Sequence, residues 1–208
     1  MQNTYRIGNA QTIGSRQVQS NYFSTREDGF ALAVLADGTI DHINGRRCAV
    51  LAVEACMQEF FAQRENTGFF IGSEGFLTFF DALAVKIQKE TREYIYTGKT
   101  PNLSLSLLAI RDKKLFYYTV GNNQVFLYNG KDYKLLSGRD GQASFGEKMT
   151  AGIVSAGVWE ALQEKEMVSY LKKKGHPFDK AQQIILGVRQ KNRKKAGNAT
   201  VILIEDAL

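Results

Sequence analysis

The 208-residue sequence predicts an α+β domain of two mainly antiparallel sheets laid face to face, with a helix pair outside each. Three observations predict it. The elements run strands, two helices, a strand meander, two helices and one strand, and strands that cluster rather than alternate singly with helices favour antiparallel sheets packed with helices. Residues 29–36 are apolar almost throughout, as a strand covered on both faces must be. The helical stretches carry their apolar residues in stripes, so each has one face to bury.

Taken in order, residues 4–13 and 29–36 read as strands, the second ending at Asp37-Gly38. A helix follows over residues 45–63, with Ala49, Val53, Cys56, Met57 and Phe60 at helical spacing. Residues 68–75 form a loop. A second helix covers 74–96, with Phe76, Phe79, Phe80, Leu83 and Ile87 on one stripe, and Pro101 closes the connection after it. The meander consists of strands at 103–110, 115–120, 124–128 and 133–136. Its turns are Arg111-Asp112-Lys113-Lys114, Gly121-Asn122-Asn123 and the hairpin signal Asn129-Gly130. Residues 137–148 are polar and glycine-containing, a loop. A strand at 150–155, helices at 158–174 and 179–195, and a strand at 201–205 complete the chain. No internal repeat or linker interrupts it, so residues 1–208 read as a single domain.

Hydrophobic residues at 44% and charged residues at 23% are ordinary globular usage and exclude a disordered chain. No run approaches the ~20 apolar residues of a membrane helix, and the N-terminus lacks a secretory pattern. Cys48 and Cys56 lie eight residues apart on one helix, about 12 Å, too far for a disulfide. A cytoplasmic protein fits these features. The run Arg189-Gln190-Lys191-Asn192-Arg193-Lys194-Lys195 reads as a solvated helix C-terminus, where the dipole favours cations. With no interleaved aromatics it does not point to nucleic acid. No Gly-x-Ser-x-Gly elbow and no phosphate loop is present. Trp159 reads as a core anchor, and His42 and His176 as surface or structural residues.

Five short segments carry the functional signal: Arg16-Gln17-Val18-Gln19-Ser20-Asn21, Ala36-Asp37-Gly38 through Gly45, Val120-Gly121-Asn122-Asn123-Gln124, Ser155-Ala156-Gly157-Val158-Trp159 and Gly197-Asn198-Ala199-Thr200-Val201. In order and position they resemble R-x-x-N-E-D, D-G-x-G-G-x-x-x-G, V-G-D-S-R, S-D-G-L-W and D-N-x-T-V of the metal-dependent Ser/Thr protein phosphatases (PPM, or type 2C). The resemblance spans nearly the whole chain. It implies a four-layer α-β-β-α sandwich with a binuclear Mg²⁺ or Mn²⁺ site between the sheets at one edge. It also implies a phosphate-binding role for Arg16 and metal ligation by Asp37 and the carbonyl of Gly38.

The departures fall on the metal ligands. Positions where the family has acids carry Ser20, Asn21, Asn122, Ala156 and Gly197. One carboxylate therefore stands where about four are needed to balance two divalent cations. Asp41, four residues after Asp37, is a candidate substitute, and Asp140 or the Glu27-Asp28 pair are further acids within reach of the argument. Between the meander and Ser155 there is too little chain for the family's flap. The expectation is a catalytically impaired phosphatase fold, a bacterial-type signalling pseudophosphatase, that binds a phosphoprotein or regulatory protein. Its Mg²⁺ or Mn²⁺ affinity is weakened, and it has no nucleic-acid partner. The alternative is an active phosphoserine/phosphothreonine phosphatase with a rearranged or single-metal site.

Overall fold

The computed structural model describes residues 5–38, 42–63, 73–95, 103–191 and 197–207. The chain opens with three strands, β1 (Tyr5–Thr12), β2 (Asn21–Glu27) and β3 (Ala31–Gly38). Two long helices follow, α1 (His42–Gln63) and α2 (Ser73–Ile95). The meander is β4 (Leu103–Arg111), β5 (Lys114–Val120), β6 (Gln124–Tyr128), β7 (Tyr133–Leu135) and β8 (Asp140–Ser144). The last third is β9 (Thr150–Val154), α3 (Ala156–Trp159), α4 (Glu164–Leu171), α5 (Pro177–Lys191) and β10 (Ala199–Asp206). Asp41, Pro101, residues 68–72 of the expected loop and residues 192–195 of the basic run lie outside the described residues, and residues 73–75 of that loop belong to α2.

The strands form two antiparallel five-stranded sheets, ordered β1-β10-β9-β6-β7 and β2-β3-β4-β5-β8. Period-two alternation divides each central strand between two cores. In β3, Ala31, Ala33 and Leu35 join Leu108, Ile110 and Leu115 and meet Val125, Ile153, Ile202 and Ile204 of the facing sheet. The other face of β3, Leu32, Val34 and Ala36, packs under Ala49, Val53, Cys56 and Phe60 of α1 and Phe80 and Leu83 of α2. On the far side, Val201 and Leu203 of β10 pack against Met167, Leu171, Ala181, Ile184 and Val188 of α4 and α5. The result is four layers, α-β-β-α. Burial on both faces is why β3 and β10 are apolar along nearly their whole length. Cys48 and Cys56 are both buried and free, as their spacing requires.

Three elements differ from the sequence expectation. Strands β2 and β8 were not expected. Strand β2 is an edge strand with a half-buried, charged sequence. Strand β8, Asp-Gly-Gln-Ala-Ser, has no apolar alternation and forms because β5 presents a free edge to it. Its Gly141 is needed there, since a Cβ would sit 2.6 Å from the Tyr117 hydroxyl. The helix expected over 158–174 is two short helices. A capping box, in which Gln163 and Glu166 exchange side-chain and backbone bonds, starts α4 afresh. Strand β8 and two short connections take up the chain between Leu136 and Thr150, leaving no room for a flap.

Turn chemistry accounts for the connections. Asp112 and Lys113 both have positive φ, 49° and 61°, as a two-residue turn matched to strand twist demands. Asn129 caps its own turn, its side-chain oxygen accepting from the N–H groups of Lys131 and Asp132.

Candidate functional site

Five segments converge at one edge of the sandwich: the loop between β1 and β2, the end of β3, the turn between β5 and β6, α3, and the start of β10. They enclose a cleft of about 210 Å³ lined by Arg16, Ser20, Asp37, Asn122, Ala156 and Gly197, with Gly157, Glu160 and Asn198 between them. Residues drawn from five separated segments thus meet at one place. Asp41 falls outside the described residues. Glu27 and Asp28 lie at the opposite end of β2, where Glu27 accepts the N–H of Tyr5. Asp140 begins β8 and pairs with Arg139. Neither Glu27-Asp28 nor Asp140 reaches the cleft.

Close backbone approaches build the cleft. Gly38 lies against Gly45, where a Cβ would be 2.1 Å from the Gly45 carbonyl oxygen, so α1 can begin directly under the end of β3. Gly121 has φ of 81° and sits on Ser104, whose hydroxyl accepts the Asn122 N–H at 2.9 Å. Gly157 lies against the Asn198 carbonyl oxygen, 2.3 Å from where its Cβ would be. Three glycines of the quoted motifs are therefore steric requirements of the turns themselves.

The floor is a network of hydrogen bonds. Asp37 is buried, 7% exposed, and Asn21 is fully buried beside it on the paired strand. Oriented from its network, the Asn21 amide nitrogen donates to both Asp37 carboxylate oxygens, at 2.8 and 3.2 Å. Its oxygen accepts from the Thr200 and Ser155 hydroxyls at 3.0 and 3.1 Å. Asn198 accepts from the Ser20 N–H at 2.9 Å and from the Ser20 hydroxyl, and donates to the carbonyls of Ile13 and Val18 at 3.0 and 3.1 Å. It fastens the β1–β2 loop to the start of β10. The Arg46 guanidinium donates to the Asn21 carbonyl and lies over the Tyr22 ring, tying α1 to β2.

Burial, with a contribution from the Glu160 carboxylate, raises the Asp37 carboxyl to about 6. The two amide N–H bonds from Asn21 favour the ionised form and oppose that rise. Glu160 was missed in the sequence. The signal was its position four residues after Ala156, which puts both on one side of a helical turn. Trp159 is not a core anchor. It is 37% exposed, and its indole N–H donates to the Asn122 carbonyl at 2.8 Å, tying α3 to the turn between β5 and β6. Arg16 lies exposed at the rim. His176 is structural, its Nδ1 accepting the Phe178 N–H.

The layers, the strand order and the five turns around this cleft define a class: the chain has the fold of the type 2C Ser/Thr protein phosphatases. It is similar to the Mycobacterium tuberculosis phosphatase PstP/Ppp, with a TM-score of 0.82 at 12% identity over 97% of this chain and 98% of that one. A PstP catalytic domain in complex with two manganese ions gives 0.78 at 12% identity, covering 97% and 98%. PppA, described as a key regulatory component of T6SS in Pseudomonas aeruginosa, gives 0.78 at 14% identity over 97% of each chain. At these identities the likeness is one of fold. No protein-family model and no curated protein sequence matches the chain.

The fold class implies two divalent cations, and the donor set among the described residues does not fit them. Hard cations take oxygen ligands, and carboxylates must supply the compensating charge. Ala156 and Gly197 offer no side-chain oxygen, and the carboxylates lining the cleft are Asp37 and Glu160. Asn21 turns N–H donors, not oxygens, toward Asp37. Among the described residues no group of three or more His, Cys, Asp or Glu is placed to hold a metal ion.

Proposed function

We propose that this protein uses the type 2C phosphatase fold for a regulatory, protein-binding role and does not perform efficient two-metal hydrolysis of phosphoproteins. The observation that carries this reading is the amide of Asn21 seated on the Asp37 carboxylate. It satisfies in a neutral, hydrogen-bonded way the lone pairs that a metal ligand would direct at a cation. Ala156 and Gly197, at the remaining ligand positions, add no charge to restore the balance. The likeness to PppA, described as a regulatory component, is in keeping with a regulatory role. A phosphoprotein or regulatory protein is the partner class this reading favours, with Arg16 at the cleft rim as the group to meet a phosphate through its planar fork.

A second reading has one observation behind it. Glu160 shares the cleft with Asp37, so two carboxylates could hold a single cation in a slow phosphatase. Hydrolysis of an aryl phosphate with and without Mn²⁺, beside Asp37→Ala, separates the two. The regulatory reading expects equal, metal-independent background from both proteins. Mn²⁺-dependent turnover lost in Asp37→Ala would overturn it in favour of the single-cation enzyme.

A further inference from the structure

A second cleft lies at the other end of the same sheet. Strand β10 starts one residue after Asn198, which lines the Asp37 cleft, and ends at Glu205 and Asp206; Asn198 to Glu205 is seven residues, roughly 23 Å. There the end of α4, the start of α5 and the β8–β9 turn surround a depression of about 550 Å³. Six cationic side chains and two carboxylates line it, an excess of four positive charges.

The carboxylate at its base is already neutralised. Glu205 accepts from the buried Lys180 ammonium at 2.7 Å and the Thr150 hydroxyl at 3.0 Å, and Arg6 stands 3.5 Å from its second oxygen. The Nε of Arg6 is buried and has no hydrogen-bond partner among the described residues. Around the rim, Lys148, Lys172 and Lys174 are exposed. Lys148 has φ of 62°, in the left-handed region where glycine or asparagine is the ordinary choice, so a cation occupies a turn position that does not favour lysine. Lys173 is turned aside to Gln183 and the Tyr170 ring.

We propose that this cleft docks an acidic, carboxylate-rich segment of a partner protein. Charge complementarity selects the ligand class. The rim cations come from two separate connections, β8–β9 and α4–α5, which suits an extended chain carrying several negative charges. A small anion would instead be gripped by convergent, buried polar groups, whereas these lysines are exposed. Nucleic acid is disfavoured because, among the described residues, no exposed Phe, Tyr or Trp lines the cleft to stack a base, and the His176 ring is held by the Phe178 N–H. Steering by such a field raises encounter rates and is weakened by salt. The docking is independent of what happens at Asp37.

The test uses the full chain and a fluorescein-labelled glutamate-rich peptide, read by fluorescence anisotropy at low and physiological salt. The comparison proteins are Lys148→Glu/Lys172→Glu/Lys174→Glu and a charge-matched control, Arg26→Glu/Lys89→Glu/Lys114→Glu, with reversals on other exposed positions. Expected are saturable binding, weaker at higher salt, a loss of about tenfold or more in the cleft variant, and little change in the control or in Asp37→Ala. Equal losses in cleft and control variants would show a response to net charge alone and overturn the proposal. So would tighter binding of duplex DNA, or of phosphatidylserine vesicles, through the same lysines. Circular dichroism of both triple variants keeps a folding defect distinguishable from a binding loss.

Discussion

At the scale of single residues, the proposed reading rests on Asn21 and the Asp37 carboxylate it faces. A carboxylate in a buried site is disfavoured unless donors or a cation face it. Here the donors are amide N–H groups held in place by Thr200 and Ser155. The remaining imbalance shows in the Asp37 carboxyl, raised to about 6 by burial and by Glu160. Unfolded, it would titrate near 4. Between those values the folded chain binds more protons than the unfolded one, so stability falls as pH rises from about 4 to about 6 and stays low above. Asp37→Asn removes that fall. With chelator present, urea unfolding is expected to show the variant about 1–3 kcal/mol more stable than wild type at pH 8, with the advantage vanishing near pH 4. An offset of the same size at both pH values would contradict this account of Asp37. Asp37, Ser20, Asn21, Ala156 and Gly197 were legible in the sequence as one group of positions, because the motifs that carry them resemble, in order, those of one family. The direction of the Asn21 amide was not legible, since it depends on Thr200 and Ser155, about 180 and 134 residues away along the chain. Glu160 was hidden for a similar reason: its meaning depends on which way a single helical turn faces.

Elements were readable where burial is deep. Strands β3, β4 and β10 and helices α1 and α2 carry apolar patterns set by the cores they face, and the structure places each within a few residues of expectation. Strands β2 and β8 were not readable, because edge strands answer to the neighbour that offers them hydrogen bonds rather than to their own side chains. The break between α3 and α4 also escaped, being a reciprocal cap and not a proline or glycine. The contact between β1 and α5 is as demanding as any in the molecule. A Cβ on Gly8 would lie 2.0 Å from the backbone nitrogen of Phe178. No side-chain rotation relieves a collision with backbone, so Gly8→Ala should cost about 3 kcal/mol or more. Thermal unfolding checks this, and a change under about 1 kcal/mol would mean that α5 is seated differently.

At the scale of the whole molecule, the four-layer sandwich separates its two clefts to opposite ends of one sheet, one lined by asparagines and two carboxylates, the other by an excess of lysine. The fold was foreseeable because five turns resembled those of one family in the right order. The basic cleft was not, since Arg6, Lys148, Lys172 and Lys180 meet only once β1, β9, α4 and α5 are assembled. On the reading proposed above, the Asp37 edge of the sandwich does not hold two metals. Calorimetric titration of Mn²⁺ at neutral pH tests it most directly, on wild type and on Asn21→Asp/Ala156→Asp/Gly197→Asp. The added side chains can be housed: Ala156 is half-exposed, and a Cβ at Gly197 meets nothing within 4 Å. The account predicts no saturable binding of two ions by wild type and the appearance of saturable binding in the triple variant. Two Mn²⁺ ions bound tightly by the wild-type chain would contradict it.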